Sequence, residues 1–161
     1  MIDLIRRLFS RAEPRLADAG PRDAKAIAAL HAASFRRGWS DDEVEQLLHD
    51  PSVVADRATI GGSLVGFILA RHAADEAEIL SIAVDAAARG QGLGRALLQR
   101  NLGRLAGLGV RAVFLEVGAD NAPALSLYDR MGFEQVGKRE RYYGSEPTLD
   151  STALVLRRDL G

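Results

Sequence analysis

The chain has 161 residues, 47% of them hydrophobic, and a formal net charge of −1 from 21 Lys and Arg against 22 Asp and Glu. This length and apolar content suit one domain with a real core, and the near-balanced charge provides no broad basic field to draw in DNA or RNA, so direct nucleic-acid binding is disfavoured. The sequence has no Cys, which excludes disulfides, thiolate nucleophiles and Cys-ligated zinc and suits a reducing cytoplasm.

Ile2, Ile5, Leu8 and Phe9 make one apolar stripe with Arg6, Arg7 and Arg11 around it. The stretch is too short and too charged for a signal peptide, and its Arg pair follows the first apolar residues instead of preceding them. Residues 1–14 run up to Pro14, ahead of the first candidate strand, and match no motif, so they read as an appendage, its stripe suited to docking on a partner or on the domain's own surface. The domain itself is expected over 15–161, with a first strand after Pro14. No apolar run approaches the ~18 residues that would span a membrane.

Ser40 and Glu43 form a capping-box pair that predicts a helix from Asp41, carrying Val44, Leu47 and Leu48 inward and ending before Pro51. The acids Asp41, Asp42 and Glu43 then satisfy the helix macrodipole. Ser52 to Ile60 and Leu64 to Arg71 flank Gly61-Gly62 and read as a hairpin, with Glu76 to Val84 as the third strand of the sheet. Leu97, Leu98, Leu102 and Leu105 put an apolar stripe on the next helix, which Gly109 ends before a strand from Val110. Gly103 and Gly107 weaken that helix by about 1 kcal/mol each relative to Ala, so packing must compensate. Asn121 caps a further helix that tolerates Pro123 in its first turn and ends at Gly132. On it Ala124, Leu127, Tyr128 and Met131 share a face. Phe133 to Tyr143 and Thr152 to Arg157 read as two closing strands. His31, His49 and His72 have no metal-ligand spacing, and no metal is expected.

The stretch Arg89-Gly90-Gln91-Gly92-Leu93-Gly94 stands between the strand ending at Val84 and the Leu-rich helix. Glycines let such a turn close tightly and leave its N–H groups uncovered, which together with a helix start cradles negative oxygens, and Arg89 adds a positive charge at the rim. Arg95, Ala96 and Leu97 follow Gly94, so the Lys and Ser or Thr of a P-loop are missing and nothing would hold Mg²⁺ and a γ-phosphate. The dinucleotide fingerprint fails as well, because its third glycine falls on Arg95 when counted from Gly90.

What the turn does match is the acyl-CoA pyrophosphate motif of the GNAT acetyltransferases, which it resembles as Arg89-x-x-Gly92-x-Gly94. Downstream, Leu115-Glu116-Val117 and the run from Asn121 to Phe133 look like the last motif of that family in the form found in ribosomal-protein-alanine N-acetyltransferases. Ala24 to Phe35 followed by Gly38-Trp39-Ser40 resembles the family's first helix and the start of its second. The similarity runs from roughly residue 15 to 157; Gly118 stands where the subfamily often has Arg. The resemblance implies a single mixed α/β (α+β) domain, with a mostly antiparallel sheet of six to seven strands splayed at the cofactor and about four flanking helices. It implies acetyl-CoA as donor and the N-terminal α-amine of a protein as acceptor, an alanine of a small-subunit ribosomal protein. It makes Glu116 the general base and Tyr128 the general acid. Ile82, Ala83, Val84, Arg89, Gly90, Gln91, Gly92, Leu93, Gly94, Arg95, Asn121 and Tyr128 would bind the donor. Trp39, Glu116, Tyr142 and Tyr143 would face the acceptor.

The residue chemistry suits this role. An α-amine with pKa about 7.8 is roughly one-seventh neutral at pH 7, whereas a lysine at about 10.4 is neutral only about 0.04% of the time, a gap of ~3.5 kcal/mol. A modest base such as Glu116 suffices for the first, and a protonated Tyr128 can donate to a departing thiolate. Strand N–H groups around Ile82 to Val84 could polarise the thioester oxygen. Acetylation of a lysine or small amine, a silent acyl-CoA-binding module and, more distantly, a Rossmann-type nucleotide binder remain as alternatives.

Overall fold

Seven strands form one sheet in the order β1-β2-β3-β4-β5-β7-β6. The computed structural model describes residues 12–143 and 146–161, with side chains over 12–140 and 152–161. The apolar stripe of residues 2–9 lies outside the described residues. The strands are β1 (Arg15–Asp18), β2 (Val53–Ile60), β3 (Ser63–Ala73), β4 (Glu76–Val84), β5 (Ala112–Gly118), β6 (Glu134–Tyr143) and β7 (Glu146–Asp159). Among the described residues four α-helices accompany them: α1 (Ala24–Ser34), α2 (Asp41–His49), α3 (Leu93–Gly107) and α4 (Ala122–Arg130). The expected mixed α/β sheet with a mostly antiparallel ladder is present. Among the described residues no helix is long and apolar enough to cross a membrane.

Local chemistry accounts for the element ends. Ser40 Oγ accepts from the Glu43 N–H at 3.1 Å while the Ser40 N–H donates to Glu43 Oε2 at 2.9 Å, so the capping box starts α2. Asn121 Oδ1 accepts from the Ala124 N–H at 3.3 Å and starts α4. At the end of α3, Gly109 takes φ +89° and the Val110 N–H donates back to the Leu105 carbonyl at 3.1 Å, a left-handed stop. The strand after it begins two residues later than Val110. β7 reaches back to Glu146, well before Thr152.

The sheet has a packed layer on each face. α3 and α4 cover one with Leu97, Leu98, Leu102, Leu105, Tyr128 and Met131 against Ile68, Ile79, Val113 and Leu115. α1 and α2 cover the other with Ile27, Ala28 and Val44 against Ala55, Phe67 and Leu69. The glycines of α3 are offset by a polar anchor. Asp56 on β2, fully buried, accepts from Arg100 Nε at 2.9 Å, Asn101 Nδ2 at 2.9 Å and Arg104 Nη1 at 2.6 Å. Charge-assisted bonds of this kind are the strong ones, and they pin α3 to the sheet.

Among the described residues β4 and β5 are the only parallel neighbours in the sheet, because α3 crosses between them. Their register runs from Glu76 opposite Ala112 to Ile79 opposite Leu115 and stops there. β4 nevertheless continues along β3 to Val84, and β5 continues along β7 to Gly118. The two strands therefore part at the middle of the sheet. The parting coincides with a bulge: Leu69 faces Ser81 and Ala70 faces Ile79, which leaves Leu80 without a partner across the ladder. A bulge bends its strand and adds twist, here directing the end of β4 away from β5. A sheet with one parallel pair is not a doubly wound nucleotide-binding sheet, which removes the Rossmann alternative.

Candidate active site

The Asp85 N–H donates to the Val65 carbonyl at 2.7 Å, and this bond sets the phase of the ladder at the end of β4. Bonded and non-bonded pairs alternate in an antiparallel ladder. Since Gly66 faces Val84, Phe67 faces Ala83 and Ile68 faces Ile82, the Ala83 N–H is directed to β3. Those of Ile82 and Val84 point to the opposite edge, into the gap beside β5. The Val84 carbonyl shares that direction and accepts from Arg89 Nε at 3.2 Å, so Arg89 is folded back onto the strand end.

Beyond Val84 the chain makes a short 3-10 turn, Ala86–Ala88, and enters the glycine-rich stretch. Gly90 and Gly92 hold φ +81° and +75°, the left-handed region that disfavours any Cβ. Gly92 caps α3 without a side chain, and the Ala96 N–H is the first in the helix to find a backbone acceptor, Gly92 itself at 3.0 Å. Among the described residues, the N–H groups of 90–95 donate to no protein acceptor. A Cβ on Gly92 would meet nothing within 4 Å, whereas one on Gly94 would lie 3.6 Å from Leu127 of α4 and 3.9 Å from Val84. The turn, the end of β4 and α4 thus converge on one point. Leu93 is buried, which leaves its N–H as its contribution, and Arg95 is exposed. A cavity of about 580 Å³ extends from Arg95 along α3 toward Arg130 and Arg158, on the side away from the gap.

Glu116 and Tyr128 lie on opposite faces of the sheet. Leu115 and Val117 belong to the core layer under α3 and α4, and Tyr128 belongs to the same layer. Side chains alternate along a strand, so Glu116, between those two, projects to the other face, with 32% of its side chain exposed. Tyr128 is 6% exposed and meets Phe133 edge to face with ring centres 5.7 Å apart. Burial pushes its hydroxyl up to about 12, so it keeps its proton throughout the neutral range.

That shift has a consequence for stability. The unfolded chain loses the tyrosine proton near pH 10.0 and the folded chain near 12. Between these values the unfolded state binds fewer protons, and stability falls as pH rises, by up to about 3 kcal/mol. Tyr128→Phe is expected to lack this component. Urea midpoints below and within that window, compared between the two proteins, measure it.

The residues expected to face an acceptor are spread more widely. Trp39 stacks on His31 at 4.1 Å between ring centres, and its backbone N–H donates to His31 Nδ1 at 3.2 Å. Desolvation holds the His31 imidazole below its ordinary value, partly opposed by the Glu43 charge. Trp39 is thus a packing partner at the α1–α2 connection. Tyr142 and Tyr143 end β6 opposite Pro147 and Glu146; their side chains lie outside the described residues. Among the described residues no group of His, Asp and Glu could hold a metal ion.

One residue of the site escaped the sequence reading. Arg139 on β6 pairs with Glu116, Nη2 to Oε1 at 3.0 Å, across the intervening β7. No local pattern signals it, because the contact exists only once β7 is inserted between β5 and β6.

The sequence from residue 24 to 133 matches the acetyltransferase (GNAT) family. The [ribosomal protein bS18]-alanine N-acetyltransferase of Escherichia coli K12 is 41% identical over 92 residues, 57% of this chain, and the match spans only 60% of that relative's length. The N-alpha-acetyltransferase RimI of Mycobacterium tuberculosis is 39% identical over 145 residues, covering 86% of this chain and 88% of the relative. The crystal structure of the ribosomal-protein-S18-alanine N-acetyltransferase from Escherichia coli superposes with a TM-score of 0.82 at 29% identity, over 92% of this chain and 94% of that one. Turn, parted strands and both candidate proton carriers all fall inside the matched stretch, and the chain belongs to the acetyltransferase (GNAT) family.

Proposed function

We propose that the protein is a cytoplasmic, acetyl-CoA-dependent N-acetyltransferase, with residues 15–161 as the transferase domain, 1–14 as an appendage, and the N-terminal α-amine of another protein as acceptor. The observation that carries this reading is the gap between β4 and β5, with open N–H groups on the side of the turn and a carboxylate on the other face. The turn fits a pyrophosphate: among the described residues its N–H groups have no protein acceptor, and the missing Cβ of Gly92 leaves their approach clear. Arg89, Gly90, Gln91, Gly92, Leu93, Gly94 and Arg95 would hold the donor's phosphates, and Asn121 and Tyr128 would lie along its acyl arm. When bound, the donor supplies an acetyl group activated as a thioester. The Ile82 and Val84 N–H groups stand where strand donors can polarise a carbonyl oxygen, Glu116 receives the amine proton, and Tyr128 holds a proton for the leaving sulfur. Because the two carriers work from opposite faces, donor and acceptor can be seated together and the transfer can be direct.

Two of the relatives are named for an alanine of ribosomal protein bS18 or S18, and we assign as acceptor the N-terminal alanine of a small-subunit ribosomal protein. An Ala-initiated basic peptide is expected to be acetylated at its α-amine far better than the same peptide blocked at the N-terminus and offering only lysines. The ~3.5 kcal/mol deprotonation advantage of the α-amine supports that preference. Mass spectrometry locating the acetyl group decides it. Predominant lysine modification, or brisk acetylation of a small polyamine without peptide activity, would overturn the acceptor, and no transfer despite donor binding would leave a silent binding module.

A further inference from the structure

Arg139 has no task in the chemistry above, and an exposed ion pair of its kind adds little to stability. Yet its guanidinium reaches across a whole strand. Glu116 faces Val155 on β7, and Arg139 faces Ala153 on the same strand, two positions along. Opposed residues share a face, so Glu116, Val155, Ala153 and Arg139 all stand on one side of the sheet. The small side chains of Ala153 and Val155 leave the crossing low enough for Nη2 to approach Glu116 Oε1 at 3.0 Å. The cation next along this face of β7 is committed elsewhere: Arg157 lies over the Phe114 ring at 5.3 Å and pairs with Asp159 at 2.9 Å. Among the described residues Arg139 is the one cation paired with Glu116, and 61% of its side chain is exposed.

An unpaired carboxylate at an amine-binding mouth attracts ammonium ions, and an ammonium ion cannot attack a carbonyl. At neutral pH nearly every lysine side chain is in that form, whereas an α-amine supplies a substantial neutral fraction. With Arg139 in place, an incoming ammonium must displace the guanidinium from Oε1 or sit beside a like charge. A neutral amine meets neither obstacle and can donate an N–H to the second oxygen. We propose that Arg139 is a specificity-determining residue that neutralises Glu116, so that the acceptor mouth turns away lysine-type ammonium groups and admits the free-base α-amine. The proposal rests on the reading of Glu116 as the acceptor-side base.

The test uses the full chain with Arg139→Met, which keeps the aliphatic bulk, and Arg139→Lys, which keeps the charge. Binding of an N-terminally acetylated lysine peptide is measured at neutral pH by calorimetry and by competition against an Ala-initiated peptide. Arg139→Met is expected to bind the blocked lysine peptide on the order of tenfold more tightly than the native protein, and Arg139→Lys to bind it as weakly as the native protein does. A purely structural role would weaken both peptides and could not yield a gain. Unchanged or weaker binding by Arg139→Met, or the same gain in Arg139→Lys, overturns the proposal; Arg139→Gln replaces the Met variant if that fails to fold. If the native protein does not acetylate the α-amine at all, the function reading falls and takes this inference with it. If it does and the Met variant gains nothing, this inference alone falls.

Discussion

Gly92→Glu is expected to abolish acetyl-CoA binding in a protein that remains folded. The backbone at Gly92 has φ +75° and ψ 18°, so any L side chain there costs about 1–2 kcal/mol. Domains of this size are typically stable by roughly 5–15 kcal/mol, and the added Cβ would meet no atom within 4 Å. The fold therefore tolerates the change. The proposed cofactor cradle should not, because the side chain would fill the space in front of its N–H groups and its carboxylate would take the place of the phosphate oxygens at the start of α3. Gly92→Ala separates the two effects: it carries the strain and the Cβ without the charge, and should weaken binding less. Calorimetry with acetyl-CoA beside a circular-dichroism melt makes the measurement. Native affinity in a folded Gly92→Glu protein would move the cofactor elsewhere. NADH should give no heat in the same cell.

The features that sequence reading recovers here are those written in short-range chemistry. Ser40 and Glu43 announce α2 three residues apart, Asn121 announces α4, and Gly92 and Gly109 bracket α3 because few other residues accept a left-handed backbone. The alternation of Val113, Leu115 and Val117 fixes which face of β5 is core and so where Glu116 points. What stays hidden depends on pairing between distant segments. Leu80 is the unpartnered residue of a bulge that helps part the sheet, yet it sits in a strand-like stretch with no glycine to mark it. Asp56 reads as a polar residue within a strand, and its burial is intelligible only when Arg100, Asn101 and Arg104 arrive from α3. The early start of β7 at Glu146-Pro147 follows from pairing with β6, not from strand propensity, since Pro is a poor strand residue away from edges and ends. Arg139 beside Glu116 belongs to the same class.

Glu116→Gln and Tyr128→Phe should each lower turnover by ~10²- to 10⁴-fold, the usual contribution of a general base or acid, but with different pH responses. The amide cannot accept a proton, so the Gln variant depends on amine that is already neutral. Its deficit should be greatest below neutral pH and should shrink as pH rises past the α-amine value of about 7.8. Tyr128 offers no such escape. Its hydroxyl is held up to about 12 by burial, so the native protein carries the proton across the whole accessible range, and the Phe variant lacks it at every pH. The thiolate, with a thiol pKa of about 8.5, then departs without a proton donor beside it, and raising the pH, which only depletes other proton donors, gives no rescue. The different environments of the two side chains explain the contrast: Glu116 is one-third exposed and paired with Arg139, Tyr128 sealed among apolar neighbours. Steady-state kcat against pH for the native protein and both variants, with the same Ala-initiated peptide, separates the roles. Losses under about fivefold in both variants, against the ~10²-fold or more expected of true proton carriers, would mean that other groups move the protons or that the site only binds. Rescue of Tyr128→Phe at high pH, with none for Glu116→Gln, would exchange the two assignments.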